Sequence, residues 1–225
     1  MELFEENGYL FLKKVYSSEL ITHYIELIHQ LWTSQNIESH IYKKYDVENE
    51  FLIVNNTYSK LNNYIKQQHY YLPVVDNRYG HNRSTDAGMY DIFNIQKLIP
   101  ETFEYFEVDV MNSIIEKITK KKWKFHRVNL QILRNVGHPQ PFHYDTHEKN
   151  IKFTLYLSEI DEDSKGAPVF IEKSHIEKRN IKQKDIHTFY GNAGDVLISY
   201  QQGYHKKTPQ YNSTSYYLVF HFLEK

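Results

Sequence analysis

Residues 123–225 alternate short runs of β-branched and aromatic residues with turn-forming clusters, and this pattern constrains the fold more than any other feature of the chain. The runs fall at 125–133, 141–144, 151–157, 168–171, 187–190, 195–200 and 215–223. Between them lie Asn135-Val136-Gly137, residues 161–166, Gly191-Asn192-Ala193-Gly194 and residues 208–212, all rich in residues that favour turns. Short strands spaced this way pack as a β-sandwich, barrel or jelly roll.

Residues 1–122 read as mostly helical support for that core, within a single domain spanning 1–225. Tyr9-Leu10-Phe11-Leu12 is a strand candidate, and Ser17 and Ser18 are N-cap candidates with Glu19 in the following turn. Leu20, Ile21, Tyr24, Ile25, Ile28 and Leu31 then recur at helical spacing and mark a core-facing stripe. A second helix is expected over 104–119, with Phe106, Val110, Ile114, Ile115 and Ile118 inward. Between the helices, residues 76–91 form a polar, turn-rich segment too long for a tight connection, as functional loops often are. The fold class expected is α+β with a mainly β core and N-terminal helices on one sheet.

Composition removes several kinds of chemistry. With Cys 0, the chain has no disulfide, thiolate-bound metal, iron–sulfur cluster or cysteine nucleophile, so any metal must be held by His and carboxylate. A formal net charge of -1 provides no basic field for nucleic acid and no strong attraction to a membrane. Met1-Glu2-Leu3-Phe4-Glu5-Glu6-Asn7-Gly8 lacks the basic-then-apolar order of a secretory signal, and no run is long and apolar enough to span a bilayer. A soluble cytoplasmic protein is expected. The sequence leaves the oligomeric state open.

His143-Tyr144-Asp145 places two ligand-type side chains at i and i+2, which point to the same face of a strand. Two His and one carboxylate form a facial set that suits Fe(II) and leaves coordination positions open. The second His must come from a distant strand, and His205 is the candidate. In a chain with His 13, His-x-Asp alone is a weak signal; its order with Gly166-Ala167-Pro168-Val169-Phe170, Ser174-His175, Gly194-Asp195-Val196-Leu197-Ile198 and Asn212-Ser213 is what sharpens it.

That ordered set resembles the phytanoyl-CoA dioxygenase-like branch of the Fe(II)/2-oxoglutarate-dependent oxygenases. Residues 4–13 are similar to the family's opening strand and residues 86–92 to a segment before its barrel, so the resemblance spans nearly the whole chain. It implies a double-stranded β-helix (jelly roll, cupin-like) with Fe(II) held by His143, Asp145 and His205, and with 2-oxoglutarate and dioxygen as co-substrates. It also implies hydroxylation, or less often desaturation or ring formation, because Asp145 fills the position that related halogenases leave to chloride.

The family anchors the far carboxylate of 2-oxoglutarate with a base on the strand after the second His. Here that strand reads Ser215-Tyr216-Tyr217-Leu218-Val219, with Tyr216 near the expected place and no base. Lys152, Thr154 and Tyr156 share one face of the strand after His-x-Asp. Related branches use a Lys and a Tyr at such positions, so Lys152 is the expected anchor, with Thr154 and Tyr156 donating hydrogen bonds and Arg134 the runner-up. Lys206 and Lys207 are read as surface residues, His147 as a strand-end surface residue and His175 as structural. His187 and His221 are read as packed or exposed. Arg78, Arg83, Asp86 and Tyr90, in or beside the polar loop, are the candidates for contacting a small polar metabolite or natural-product intermediate. Two alternatives stay open: a cupin-type metalloenzyme that does not use 2-oxoglutarate, and an inactive binding protein of the same fold.

Overall fold

The structure, a computed structural model, describes residues 2–34, 43–46, 51–55, 70–71, 89–134, 142–145, 149–163, 166–177, 182–210 and 213–225. For residues 2, 43–46, 51–55, 70–71, 89–91, 93 and 134 the description is of the backbone alone.

The expected N-cap is present: Ser17 Oγ accepts a hydrogen bond from the Leu20 amide at 3.3 Å. Helix α2 (Ser18–Ser34) follows a short helix α1 (Glu2–Asn7) and strand β1 (Tyr9–Leu12), and buries Ile21, Tyr24, Ile28 and Leu31 at the predicted spacing. The second predicted helix is broken. A single turn over Thr102–Tyr105 stops at Phe106, where the backbone leaves helical angles, and α3 (Val108–Thr119) starts afresh. Because the break resets the helical phase, α3 turns Met111, Ile115 and Thr119 inward, and Val110, expected inside, is 50% exposed. Phe106 is buried as expected.

The reading of residues 1–122 as mostly helical needs correction. Besides β1, that half contributes β2 (Lys43–Asp46), β3 (Phe51–Asn55), β4 (Tyr70–Tyr71) and β5 (Met89–Phe93). β5 begins inside the segment expected to be loop. Its backbone pairs with β6 (Trp123–Arg134) and extends the main sheet. The remaining strands are β7 (His143–Tyr144), β8 (Asn150–Tyr156), β9 (Pro168–Ile171), β10 (Ile186–Thr188), β11 (Val196–Tyr200), β12 (His205–Lys207) and β13 (Thr214–Glu224).

These strands form two antiparallel sheets. The larger has the order β1-β11-β8-β13-β6-β5-β3-β2 and the smaller β10-β9-β12-β7-β4. On the outer face of the larger sheet, α2 and α3 pack against Val128, Leu130, Ile132, Phe153, Leu155, Ile198, Leu218 and Phe220. Its inner face meets the smaller sheet through Leu133, Tyr156, Leu197, Tyr217 and Val219 against Phe170. With both faces covered, every residue of β11 is buried, and Val196, Leu197 and Ile198 run together rather than alternating with polar residues. Among the described residues, no helix is long and apolar enough to cross a membrane.

The Gly194-Asp195 turn locks β1 onto this sheet. Gly194 has φ +91, and a Cβ there would come within 2.2 Å of the Tyr16 carbonyl oxygen, so only glycine fits. Asp195 accepts hydrogen bonds from the backbone amides of Lys14 and Asn192, each at 2.8 Å, and from Lys13 Nζ at 2.9 Å. Burial alone would raise the carboxyl's pKa, but these donors together hold it below the usual carboxylate range. A carboxylate depressed in the folded state stabilises above its unfolded pKa, about 3.9, and loses that stabilisation as pH falls through the lower folded value. Asp195→Asn is therefore expected to destabilise the protein by about 2 kcal/mol at neutral pH. The gap from wild type should narrow below about pH 4, read by urea unfolding across pH. A gap that does not change with pH would contradict this role.

Candidate metal centre

The antiparallel pairing of β7 with β12 sets His143 directly opposite His205, so residues far apart in sequence become cross-strand neighbours. Their ring centroids are 4.6 Å apart. Asp145 follows on the same face, its amide tied to the Gln201 carbonyl at 3.1 Å. Asp145 Oδ1 lies 3.5 Å from His143 Nε2 and 3.5 Å from His205 Nε2. The three ligand atoms all lie within 4.8 Å of one another. Donors about 2.1 Å from a common ion sit about 3–3.5 Å apart when the angle between them is near or somewhat above a right angle, so the residues present fit a metal.

Neighbouring groups fix the donors. His205 Nδ1 is 2.9 Å from the Gly203 carbonyl oxygen, which can only accept, so Nδ1 is the donor there and Nε2 is the nitrogen turned toward the site. Phe170 stacks on the same ring, with centroids 5.1 Å apart and planes 18° apart. Lys152 Nζ donates to Asp145 Oδ2, which leaves Oδ1 facing both imidazoles and favours a single carboxylate oxygen as ligand. Partners of this kind are typically worth 10–100-fold in metal affinity. Lys152→Met is expected to weaken Fe(II) binding by about that factor in competition against a chromophoric chelator. An unchanged affinity would show that Lys152 does not orient the ligand.

The centre opens onto a cavity of about 70 Å³ between the sheets, bordered by Gln131, Thr154, Leu197, Gln201, Lys207 and Val219 among others. Thr154 and Lys152 line it from β8 as the alternation predicted. The co-substrate expectations fare differently from the metal set. Lys152, the expected carboxylate anchor, is engaged by Asp145 instead. Tyr156 is fully buried in the apolar layer, and its hydroxyl donates to the Phe189 carbonyl at 3.0 Å. Burial, reinforced by Tyr217 and Asp195, holds that phenol's pKa well above its ordinary value. Tyr216 points to the opposite face of the sheet, where it lines a separate pocket with His29, Trp32 and Ile132. The period of two along β13 puts its neighbours Ser215 and Tyr217 on the inner side instead. Arg134 pairs with Thr214 through its backbone, and its side chain lies outside the described residues. Arg78, Arg83, Asp86 and His147 lie outside them too, as does the side chain of Tyr90.

Lys206 and Lys207, read from sequence as surface residues, both border the cavity. The sequence reading missed them because residues 205–207 were not recognised as a strand; once they are, Lys207 falls on the face of His205. Other histidines lie elsewhere. His175 stacks on Tyr200 at 5.1 Å, with Nε2 3.0 Å from the Glu5 carbonyl, and His187 meets Glu172 at 3.3 Å. His221 is buried beside Asn129, and burial first, then the charges of Arg127 and Lys152, lower its pKa well below the ordinary value.

The sequence matches no protein-family model and no curated protein. Solved structures do resemble it. EvdO2 from Micromonospora carbonacea var. aurantiaca, in complex with 2-oxoglutarate, superposes with a TM-score of 0.66 at 12% identity, covering 100% of this chain and 89% of EvdO2. SnoN, a non-haem α-ketoglutarate-dependent epimerase from nogalamycin biosynthesis, has a TM-score of 0.64 at 10% identity, covering 99% of this chain and 80% of SnoN. HygX from Streptomyces hygroscopicus, bound to nickel, 2-oxoglutarate and hygromycin B, has a TM-score of 0.56 at 10% identity, covering 99% and 85%. The chain thus shares its fold with these solved structures.

Proposed function

We propose that this chain is an Fe(II)- and 2-oxoglutarate-dependent oxygenase acting on a small molecule. The observation that carries the reading is the convergence of His143, Asp145 and His205, with one carboxylate oxygen 3.5 Å from both imidazole nitrogens beside a cavity between two sheets. The fold shared with SnoN, EvdO2 and HygX supports it. We read the paired sheets as a double-stranded β-helix and the chain as a phytanoyl-CoA dioxygenase-like member of that superfamily.

When bound, Fe(II) and 2-oxoglutarate would supply the oxidising chemistry, coupling decarboxylation to succinate with the activation of dioxygen. The protein's share is to hold and orient. His143, Asp145 and His205 would occupy one face of the ion and leave the other open. Lys152 would keep Asp145 to one oxygen, and Thr154 would offer a hydroxyl to the co-substrate. Leu197, Val219 and Phe170 give the cavity apolar walls that limit water. With Asp145 in place, hydroxylation or another oxidation of a C–H bond is the expected outcome rather than halogenation.

The substrate class we propose is a small polar metabolite or natural-product intermediate, held in part by Arg78, Arg83, Asp86 and Tyr90. It is supported by the biosynthetic setting of SnoN and by the hygromycin B bound to HygX. We place the enzyme in the cytoplasm, where reduced iron and 2-oxoglutarate are at hand, with no nucleic-acid or membrane partner.

Anaerobic addition of Fe(II) and 2-oxoglutarate is expected to give a weak visible charge-transfer band that His143→Ala abolishes, and admission of oxygen should yield succinate. Bound metal with neither band nor succinate would favour a cupin-type enzyme that does without 2-oxoglutarate. Absence of metal binding would favour an inactive binding protein.

A further inference from the structure

The strand that should carry a base for the far carboxylate of the co-substrate carries none on its inner face: Ser215, Tyr217 and Val219 point that way. A dicarboxylate cannot sit in a half-apolar cavity without a cation or several donors, because an unpaired carboxylate there is strongly disfavoured. We propose that Lys207 supplies that cation, from the strand of the second His rather than the strand after it. This rests on the 2-oxoglutarate reading above.

Geometry picks Lys207 over Lys152. Lys207 lies two residues beyond His205 on β12, on the same face, so its Cα is displaced about 7 Å along the strand from that of the metal-ligand candidate. This is the order of length of a five-carbon diacid extending from the ion. The ammonium is held in the cavity wall: Nζ donates to Gln131 Oε1 at 2.9 Å and lies 4.4 Å from the centroid of the fully buried Tyr217 ring. The strand register separates the two lysines. Tyr217 pairs with Gln131 and Tyr156, whereas Lys152, four residues before Tyr156 on β8 and beside Asp145, pairs with His221 and Ser199. Lys152 therefore sits at the metal end of the cavity and Lys207 at the far end, with Thr154 between them.

Tyr217 also explains the relocation. Its hydroxyl is fixed to the Gly166 carbonyl at 2.9 Å, so its ring forms a floor on which an aliphatic lysine stem and ammonium can rest. A base on β13 would compete for that space.

The test compares two keto acids on the anaerobic Fe(II)-loaded protein, 2-oxoglutarate and 2-oxovalerate, which has the same chain length but no far carboxylate. Binding is read from the charge-transfer band or by calorimetry, without turnover. Wild type is expected to prefer 2-oxoglutarate strongly. Lys207→Met, which keeps the apolar stem, should weaken 2-oxoglutarate about 10- to 100-fold and leave 2-oxovalerate within about twofold. Lys207→Arg should retain most of the preference, and Lys152→Met should leave the ratio of the two unchanged. Circular dichroism shows that the variants fold, and Fe(II) is added to saturation so that the weaker metal affinity expected of Lys152→Met does not enter the comparison. If Lys207→Met keeps the wild-type preference, or Lys152→Met removes it, the assignment is overturned. If neither keto acid binds wild type, the 2-oxoglutarate reading itself fails.

Discussion

Two imidazoles distant in the sequence meet because β7 and β12 pair in one register, with His143 opposite His205. The rest of the site hangs on that pairing. A slip of one residue in β12 would turn His205 away from Asp145 and His143, since successive side chains on a strand face opposite ways. The register is held from the other side by β9, where Phe170 sits opposite His205 and stacks on its ring, and Pro168 sits opposite Lys207. The same contacts that define the smaller sheet therefore aim the donors. The helices on the outer face of the larger sheet contribute indirectly, by making its strands a rigid wall for the cavity.

Along the cavity, the charged groups lie toward its two ends. Near the metal-ligand candidates, Lys152 neutralises Asp145, and His221 stays uncharged in its buried position. At the far end, Lys207 rests over Tyr217 beside Gln131. Apolar side chains from both sheets lie between and around these groups. Such an arrangement offers a ligand a polar contact at each end and an apolar middle, the usual character of a small-molecule pocket.

Much of this was legible in the sequence, where local rules determine the outcome. The period of 3.6 in α2 and the N-cap at Ser17 are set by neighbours in sequence, and both appear as read. The alternation of Lys152 and Thr154 toward the cavity follows from the pleat of β8 alone. Three kinds of information were not local. The break at Phe106 depends on a buried aromatic that takes the chain out of helical angles, so periodicity carried across it misplaced Val110. The strands of residues 1–122 form by pairing with β6 and its neighbours, which no short window reveals. At three residues, β12 is too short to show an alternation, so Lys207 was assigned to the surface by its polarity. The expected role of Lys152 as anchor failed to anticipate a rival partner, because Asp145 reaches it only through the packing of one sheet on the other.

The central claim is that two histidines and one aspartate hold the iron together. X-ray absorption at the iron edge of the anaerobic Fe(II)-loaded protein tests it directly, since imidazole rings give a countable outer-shell signal. The account predicts the scattering of two histidines per iron in wild type and of one in His205→Ala. An iron with no imidazole signal, or a histidine count that His205→Ala leaves unchanged, would contradict it.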